Sequence, residues 1–243
     1  MTSESRVRAL EDQGFVLHSV PWRETSLVIE VFTSRYGRFS MVAKGARRPR
    51  SALRGVVQPF QPLRLIWFGQ HSTLRTLKSA EWLGGLPLLQ GRALFCGFYL
   101  NELLLRLVAR EEGLGELFLA YREALQRLSQ ESGQEPILRD FEYALLRVMG
   151  VAPSFSQESL SGRPLEAEEI YGFDADGAVV TLGSGTRNTV QCHGKTLLDM
   201  AQGRFEDARS LVESKNVMRW LLRHHLGGQE LHTRRILQEL PPL

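Results

Sequence analysis

The sequence has few cysteines and no long apolar run, and these absences exclude several classes of protein. Only two cysteines occur among the 243 residues, Cys96 and Cys192, so a disulfide framework is excluded and a reducing compartment is indicated. No apolar run approaches the eighteen or so residues that a membrane-spanning helix needs. The N-terminal stretch MTSESRVR lacks the apolar core of a signal peptide, and we therefore expect a cytoplasmic protein.

Motifs for catalysis and for metal binding are also scarce. Gly194-Lys195-Thr196 resembles the end of a phosphate-binding P-loop, but Thr189 stands where that motif needs a glycine. A metal site could be imagined from Cys192-His193, His224-His225 and His232, but these residues show none of the paired spacings that zinc sites use. No nucleophile elbow, HExxH helix or spaced acid–base pair is present. We therefore expect a protein that is not an enzyme and that holds no cofactor or metal.

Lysine and arginine are concentrated in the N-terminal third of the chain. Residues 1–82 contain 13 Lys and Arg against 6 Asp and Glu, whereas the remaining residues contain 17 against 21. The formal net charge of +3 conceals this asymmetry. A basic N-terminal third favours a polyanionic partner, whereas an ordinary domain with surplus surface arginine is the alternative that charge alone leaves open.

The densest cluster of positive charge spans residues 42–55, VAKGARRPRSALRG, which we call the basic loop. Glycine and proline interrupt this stretch and prevent it from forming one regular helix. Guanidinium groups match phosphate oxygens with paired hydrogen bonds and also stack on bases. The cations of the loop are therefore candidate DNA contacts, with solvated surface as the alternative. They are Lys44, Arg47, Arg48, Arg50 and Arg54.

A second group of candidates lies just before the basic loop, in Arg35-Tyr36-Gly37-Arg38-Phe39. Cations alternate with aromatic rings there, the combination that single-strand binders use for phosphates and bases. Arg35 and Arg38 are therefore candidate DNA-binding residues as well, whereas we interpret Phe39 as a core residue.

The pattern of apolar residues divides the chain into a strand-rich part and a helix-rich part. Turn-forming residues separate five short runs, which favours a small barrel of the OB type. The expected strands are residues 14–20, 27–32, 38–43, 63–68 and 73–77. Helical periodicity covers residues 92–110, 117–128, 138–148 and 196–240, the last interrupted at Gly227-Gly228. Residues 172–177 resemble the turn of a short hairpin.

We therefore expect an α+β protein in three parts. Residues 1–82 should form a five-stranded OB-type β-barrel that binds nucleic acid, and residues 83–152 a central helical bundle. Residues 153–243 should form a small C-terminal region of a hairpin plus helices, with the helices packing on the helical domain.

Two helical stripes place cations beside apolar surface. In each stripe three residues are spaced four apart, so they share one flank of a helix. Such a flank suits an acidic peptide that ends in a hydrophobic residue, and a solvated helix face is the alternative. The stripes are Arg139, Tyr143 and Arg147, and Lys215, Arg219 and Arg223.

Five stretches carry a resemblance to a known family, and they lie between about residue 14 and residue 237. They are FVLHSVPWRETSLVIEVFT, VAKGARRPRS, QPFQPL, YLNELLLRL and LGGQELHTRR. Together they resemble the bacterial RecO recombination mediators. The resemblance implies an N-terminal OB fold, binding of single- and double-stranded DNA, strand annealing, and association with the nucleoid during repair.

The same resemblance implies protein partners. RecO-like proteins cooperate with RecR and help to place RecA on DNA coated by single-stranded DNA-binding protein, whose acidic C-terminal tail they engage. Arg139 is the first candidate for contact with that tail, and the stripe of Lys215, Arg219 and Arg223 is the second.

The chain departs from the family pattern in two places. Many members carry a four-cysteine zinc site near the C-terminal region, where this chain has only Cys192. Apolar packing and hairpins must then hold residues 153–190. Near the end, Gln229 and His232-Thr233-Arg234 replace a lysine and a K-S-R triplet, so only Arg234 and Arg235 remain basic.

Two other functions stay open on the sequence alone. An OB-fold protein with a basic loop also suits structured RNA. The second alternative is a nucleotide hydrolase, and only Gly194-Lys195-Thr196 supports it.

Overall fold

The computed structural model describes residues 9–69, 74–131, 133–182, 190–205 and 207–239. The chain divides into two compact units, Met1–Ser129 and Gln130–Leu243, and each is described by itself. No helix in the described ranges is both long enough and apolar enough to cross a membrane.

The first unit is built on a closed barrel of five strands, as the sequence predicts. The barrel order is β1-β2-β3-β5-β4, with β3 and β5 parallel and the other neighbours antiparallel. This is the OB-type arrangement, and with the helices it makes the protein α+β. The strands are β1 (Leu10–Trp22), β2 (Ser26–Thr33), β3 (Gly37–Ala43), β4 (Leu63–Phe68) and β5 (Arg75–Trp82).

Alternating side chains fill the barrel. In β4, Leu63, Leu65 and Trp67 are fully buried, whereas the residues between them face outward. Phe39 is buried in the same core, in agreement with its interpretation from sequence. The interior is therefore a packed core, and a binding surface must lie on the outside.

β1 and β5 extend furthest beyond their predicted bounds, and barrel closure explains why. β1 pairs with β4 through Leu10–Gly14 and with β2 from Gly14 onward, so it must be long enough to serve both neighbours. β5 extends to Trp82 because it pairs with the whole of β4, although its second half is polar. Residue 73, the first of the predicted fifth strand, lies outside the described residues.

Among the residues that the structure describes, α1 (Gly91–Leu107) and α2 (Gly115–Gln130) pack against the barrel. The Tyr121 ring meets Phe15 edge-on, with ring centroids 5.2 Å apart. Its hydroxyl donates to Asn101 Oδ1, and Asn101 Nδ2 donates to the Leu17 carbonyl at 2.8 Å. Burial raises the pKa of Tyr121, so the phenol stays neutral and keeps this chain of hydrogen bonds intact.

In its described residues, the second unit combines four helices with a three-stranded sheet of order β7-β6-β8. Gly227 and Gly228, both at positive φ, end the longest helix where the sequence predicts an interruption. The elements are α3 (Gln134–Val148), β6 (Ile170–Phe173), β7 (Val179–Thr181), β8 (Cys192–His193), α4 (Gly194–Gln202), α5 (Ala208–His225) and α6 (His232–Glu239).

A buried carboxylate and apolar packing hold the region where many family members have zinc. Glu158 accepts hydrogen bonds from the hydroxyls of Ser161 and Thr181 and from the Thr181 N–H, the last at 2.9 Å. These bonds lower the pKa of Glu158 to about 2, so the carboxylate is ionised at neutral pH. Phe155 and Phe173 are fully buried in the same unit. Phe155 packs on Tyr143 of α3 and Phe173 on Trp220 of α5, so residues 153–182 are held by apolar contacts and without a cysteine cluster.

Candidate nucleic-acid interface

The basic loop leaves β3 and returns toward β4 as a series of tight turns. Main-chain hydrogen bonds run from Arg48 N–H to Gly45 O and from Ser51 N–H to Arg48 O, both at 3.0 Å. Arg54 N–H donates to Ser51 O at 3.2 Å. Gly45 adopts φ +69°, where a side chain would be strained. The loop therefore has a defined backbone although it contains no regular helix.

Apolar side chains anchor the basic loop to the barrel. Ala46 is buried within the barrel core, and Val57, just past the loop, is buried in the same core. Leu53 packs against that core from the loop itself. Burial of these side chains fixes the inner side of the loop, so the intervening residues face water.

All five cations of the basic loop are exposed. Within the described ranges none of them forms an ion pair, and Arg47 alone uses its guanidinium, donating to the Glu24 carbonyl at 3.3 Å. No acidic residue lies in the loop to offset the charge. The predicted DNA-binding set of Lys44, Arg47, Arg48, Arg50 and Arg54 is thus brought together on one surface with its donors available for phosphate oxygens.

The basic loop is joined to the turn between β1 and β2. Arg47 N–H donates to the Thr25 carbonyl at 2.8 Å, and Gly45 N–H donates to Ser26 Oγ at 3.3 Å. The turn carries Trp22, which is 42% exposed, and Arg23. Neither of these two is among the sequence-predicted candidates, although Pro21-Trp22-Arg23 marks a strand end with an aromatic ring and a cation.

Arg35 and Arg38 lie away from the basic loop. Arg35 lies in the turn between β2 and β3 and Arg38 just after it, whereas the first cation of the loop, Lys44, follows the other end of β3. Six residues of strand span about 20 Å. The structure therefore does not bring these two arginines together with the five loop cations.

Both of these arginines are engaged within the first unit. Arg38 donates to Glu30 Oε1 at 2.6 Å and to the Val108 carbonyl at 2.8 Å, with only 11% of its side chain exposed. Arg35 bonds Asp12 Oδ1 at 3.2 Å but keeps 66% of its side chain exposed. A role of either arginine in DNA binding stays a prediction, and Arg38 exposes less side-chain surface for such a contact than Arg35 does.

The α3 stripe is largely closed off in the structure. Arg139 is 8% exposed, and its Nη2 donates to Glu142 Oε1 at 2.5 Å. The Tyr143 ring stacks on Phe155 with centroids 4.7 Å apart, and burial raises the pKa of this tyrosine. Arg147 is the exposed member of the stripe. The three residues share a helix flank but not one open surface.

The α5 stripe borders a cavity of about 420 Å³, which we call the α5 cavity. Arg219, Arg223 and Arg235 line it together with one acidic residue, Glu230. Its apolar lining comes from Val190, Trp220, Leu222, Leu226 and Leu231. Arg219 Nε is buried and has no hydrogen-bond partner within the described residues. Lys215 is exposed but does not line the cavity. The arrangement offers an apolar slot with cations at its edge.

Gly194-Lys195-Thr196 has a structural explanation. The Lys195 ammonium donates to both Asp199 oxygens at 3.1 and 2.9 Å, and the Thr196 hydroxyl donates to Glu213 at 2.6 Å. A side chain at Gly194 would approach the Glu166 carbonyl oxygen to 2.0 Å. These three residues therefore join α4 to its neighbours. Across the described residues, no three His, Cys, Asp or Glu side chains are grouped so as to hold a metal ion.

Comparisons with known proteins cover nearly the whole chain. The family model described as "Recombination protein O N terminal" matches residues 7–86, and "Recombination protein O C terminal" matches residues 88–235. Relatives named DNA repair protein RecO include that of Aromatoleum aromaticum, 49% identical over 233 residues, covering 96% of this chain and 97% of the relative. That of Nitrosospira multiformis is 48% identical over 231 residues, covering 95% of each chain. That of Burkholderia pseudomallei is 47% identical over 243 residues, covering 100% of this chain and 87% of the relative.

The exposed cations of the basic loop predict a measurable salt dependence. Replacing Arg47, Arg48 and Arg50 by glutamine should weaken single-stranded DNA binding for every sequence, because phosphate contacts carry no sequence information. The slope of log affinity against log salt concentration should shrink by about 0.7 for each arginine that no longer neutralises a phosphate. Fluorescence anisotropy over a series of salt concentrations measures both quantities.

The matched control replaces three other exposed arginines, Arg122, Arg204 and Arg209, and removes the same total charge. It should leave the slope nearly unchanged. A folded loop variant with the wild-type slope would show that the loop is only solvated surface.

Proposed function

This chain belongs to the RecO family of DNA repair proteins, and from that premise we propose that it is a DNA-binding mediator of recombinational repair. It binds single- and double-stranded DNA and anneals complementary strands. Residues 1–82 bind the DNA, and residues 83–152 and 153–243 form the helical and C-terminal parts that engage proteins. The observation that carries this proposal is the basic loop, with five exposed cations held on an OB-type barrel.

The basic loop suits strand annealing for a physical reason: annealing requires two polyanions to approach each other. Cations on a fixed surface neutralise phosphates and release counterions, which lowers the repulsion between strands. The process needs no covalent bond to be made or broken, and we propose that the protein has no catalytic activity. Gly194-Lys195-Thr196 supports no phosphate site, since its side chains are used within the second unit.

We further propose that the protein acts with RecR, in the cytoplasm and at the nucleoid, to help place RecA on coated DNA. A mediator that works on DNA already coated by single-stranded DNA-binding protein needs a contact with that protein. Its acidic tail, which ends in an apolar ring and a free carboxylate, is the proposed ligand. The sequence favours Arg139 for this contact, but Arg139 is buried against Glu142. We therefore propose the α5 cavity in its stead, because apolar walls and three arginines meet there.

An annealing assay tests the central activity. Complementary DNA oligonucleotides should anneal faster with the protein than without it, equally fast with and without ATP, and more slowly with the basic-loop triple variant. The rate is followed by fluorescence transfer between labelled strands. Turnover of ATP by the pure protein would contradict the non-enzymatic proposal. Annealing of RNA but not of DNA would favour the RNA-binding alternative.

The tail site predicts that Arg223→Ala weakens binding of an acidic peptide ending in phenylalanine by about 1.5–3 kcal/mol, the range for a hydrogen bond to a charged group. Amidation of the peptide's C-terminus should cost a similar amount, because the free carboxylate is removed. Fluorescence titration with the labelled peptide measures both effects. DNA binding should be unchanged, since the basic loop belongs to the other compact unit.

Two control variants separate the candidate stripes. Arg209→Ala removes an exposed arginine that does not line the α5 cavity, and it should bind the peptide as wild type does. Arg147→Ala removes the exposed cation of α3. If Arg147→Ala weakens peptide binding and Arg223→Ala does not, the tail binds α3 and the proposal of the α5 cavity is wrong.

A further inference from the structure

The turn between β1 and β2 exposes a large aromatic ring, that of Trp22, to water. Trp22 is the last residue of β1 and pairs with Ser26 at the start of β2. It is 42% exposed, and Val20, two residues earlier on the same face of the strand, is 41% exposed. By contrast, Trp67 of the same barrel is fully buried. The outer face of β1 thus ends in exposed apolar surface that contributes nothing to the barrel core.

The backbone beside this ring is strained. Arg23 adopts φ +52°, a left-handed conformation that costs free energy for a residue other than glycine. Its guanidinium carbon lies 6.0 Å from the centroid of the Trp22 ring. An exposed indole with a cation beside it can hold a nucleotide, because the ring stacks on a base and the cation binds a phosphate.

Hydrogen bonds fix the position of this turn against the basic loop. Arg47 N–H donates to the Thr25 carbonyl at 2.8 Å, and Arg47 Nη1 donates to the Glu24 carbonyl at 3.3 Å. Gly45 N–H bonds Ser26 Oγ at 3.3 Å. A DNA backbone that follows the loop cations therefore passes beside the turn, with Trp22 within the same surface.

We propose that Trp22 is a stacking platform for an unpaired base, with Arg23 holding an adjoining phosphate. This inference rests on the proposed DNA binding by the basic loop and adds a preference for single strands to it. The bases of a duplex are already stacked on each other and present their edges, so the indole has no base face to contact there. An unpaired base leaves both of its faces available.

The test is the affinity of Trp22→Ala for labelled oligo-dT and for a duplex of equal length. Removal of one stacking interaction between a base and an aromatic ring should weaken oligo-dT binding about tenfold. Duplex binding should change less than about twofold, because it depends on phosphate contacts. The salt slope for oligo-dT should stay at the wild-type value, since no cation is removed. Trp22→Phe retains a flat ring and should recover most of the affinity.

Trp82→Ala is the matched control. Trp82 is 62% exposed, and it pairs through Leu63 with Gly14, eight residues before Trp22 along β1. This variant should bind oligo-dT as wild type does. Quenching of tryptophan fluorescence by oligo-dT gives a second readout that does not depend on Trp22→Ala being folded: the quenching should fall strongly in Trp22→Phe.

Each outcome bears on a different claim. Wild-type affinity of a folded Trp22→Ala for oligo-dT, or undiminished quenching in Trp22→Phe, would overturn the stacking proposal while leaving the basic loop in place. Equal weakening on oligo-dT and duplex would overturn it too, because Trp22 would then only support the shape of the loop. Failure of the wild-type protein to bind any DNA would instead remove the proposed function itself.

Discussion

The proposed function depends on the hydrogen bond from Arg47 N–H to the Thr25 carbonyl and on the burial of Ala46 beside it. Five cations on a free segment would repel one another and spread apart, and ordering them on DNA would cost conformational entropy. The barrel provides that order before DNA arrives. It holds the inner side of the basic loop by apolar contact and the outer side by bonds to the β1–β2 turn. The charge is thereby presented as a surface of fixed shape.

Around Glu30, arginine side chains neutralise a buried carboxylate, a different role from that of the arginines in the basic loop. This carboxylate, 9% exposed, accepts hydrogen bonds from Arg38 and Ser40 and lies 3.3 Å from Arg110. A buried carboxylate without these partners would be costly, so the arginines stabilise the folded barrel. The first unit therefore contains arginines that stabilise the barrel and arginines left open to water. The second group has no acidic partner among the described residues to compete with a polyanion.

This difference marks how far the sequence could predict the site. The five strands, the turn at Gly227-Gly228 and the exposed loop cations follow from local patterns, because alternation, glycine and proline act within a few residues. The burial of Arg38 does not, since its guanidinium also bonds the Val108 carbonyl, seventy residues further along the chain. The burial of Arg139 against Glu142 could not be predicted either, because helical spacing identifies the flank on which a residue lies but not the residues that cover that flank. Trp22 could have been suspected from its place at a turn, but its link to the basic loop is a long-range contact.

The central claim is that the basic loop and the β1–β2 turn form one DNA-binding surface. Ultraviolet crosslinking of the purified protein to oligo-dT, with the attached peptides mapped by mass spectrometry, tests it most directly. The account predicts crosslinks within residues 42–55 and at residues 22–26. Crosslinks confined to the Arg35–Arg38 turn, or to residues beyond 130, would contradict it.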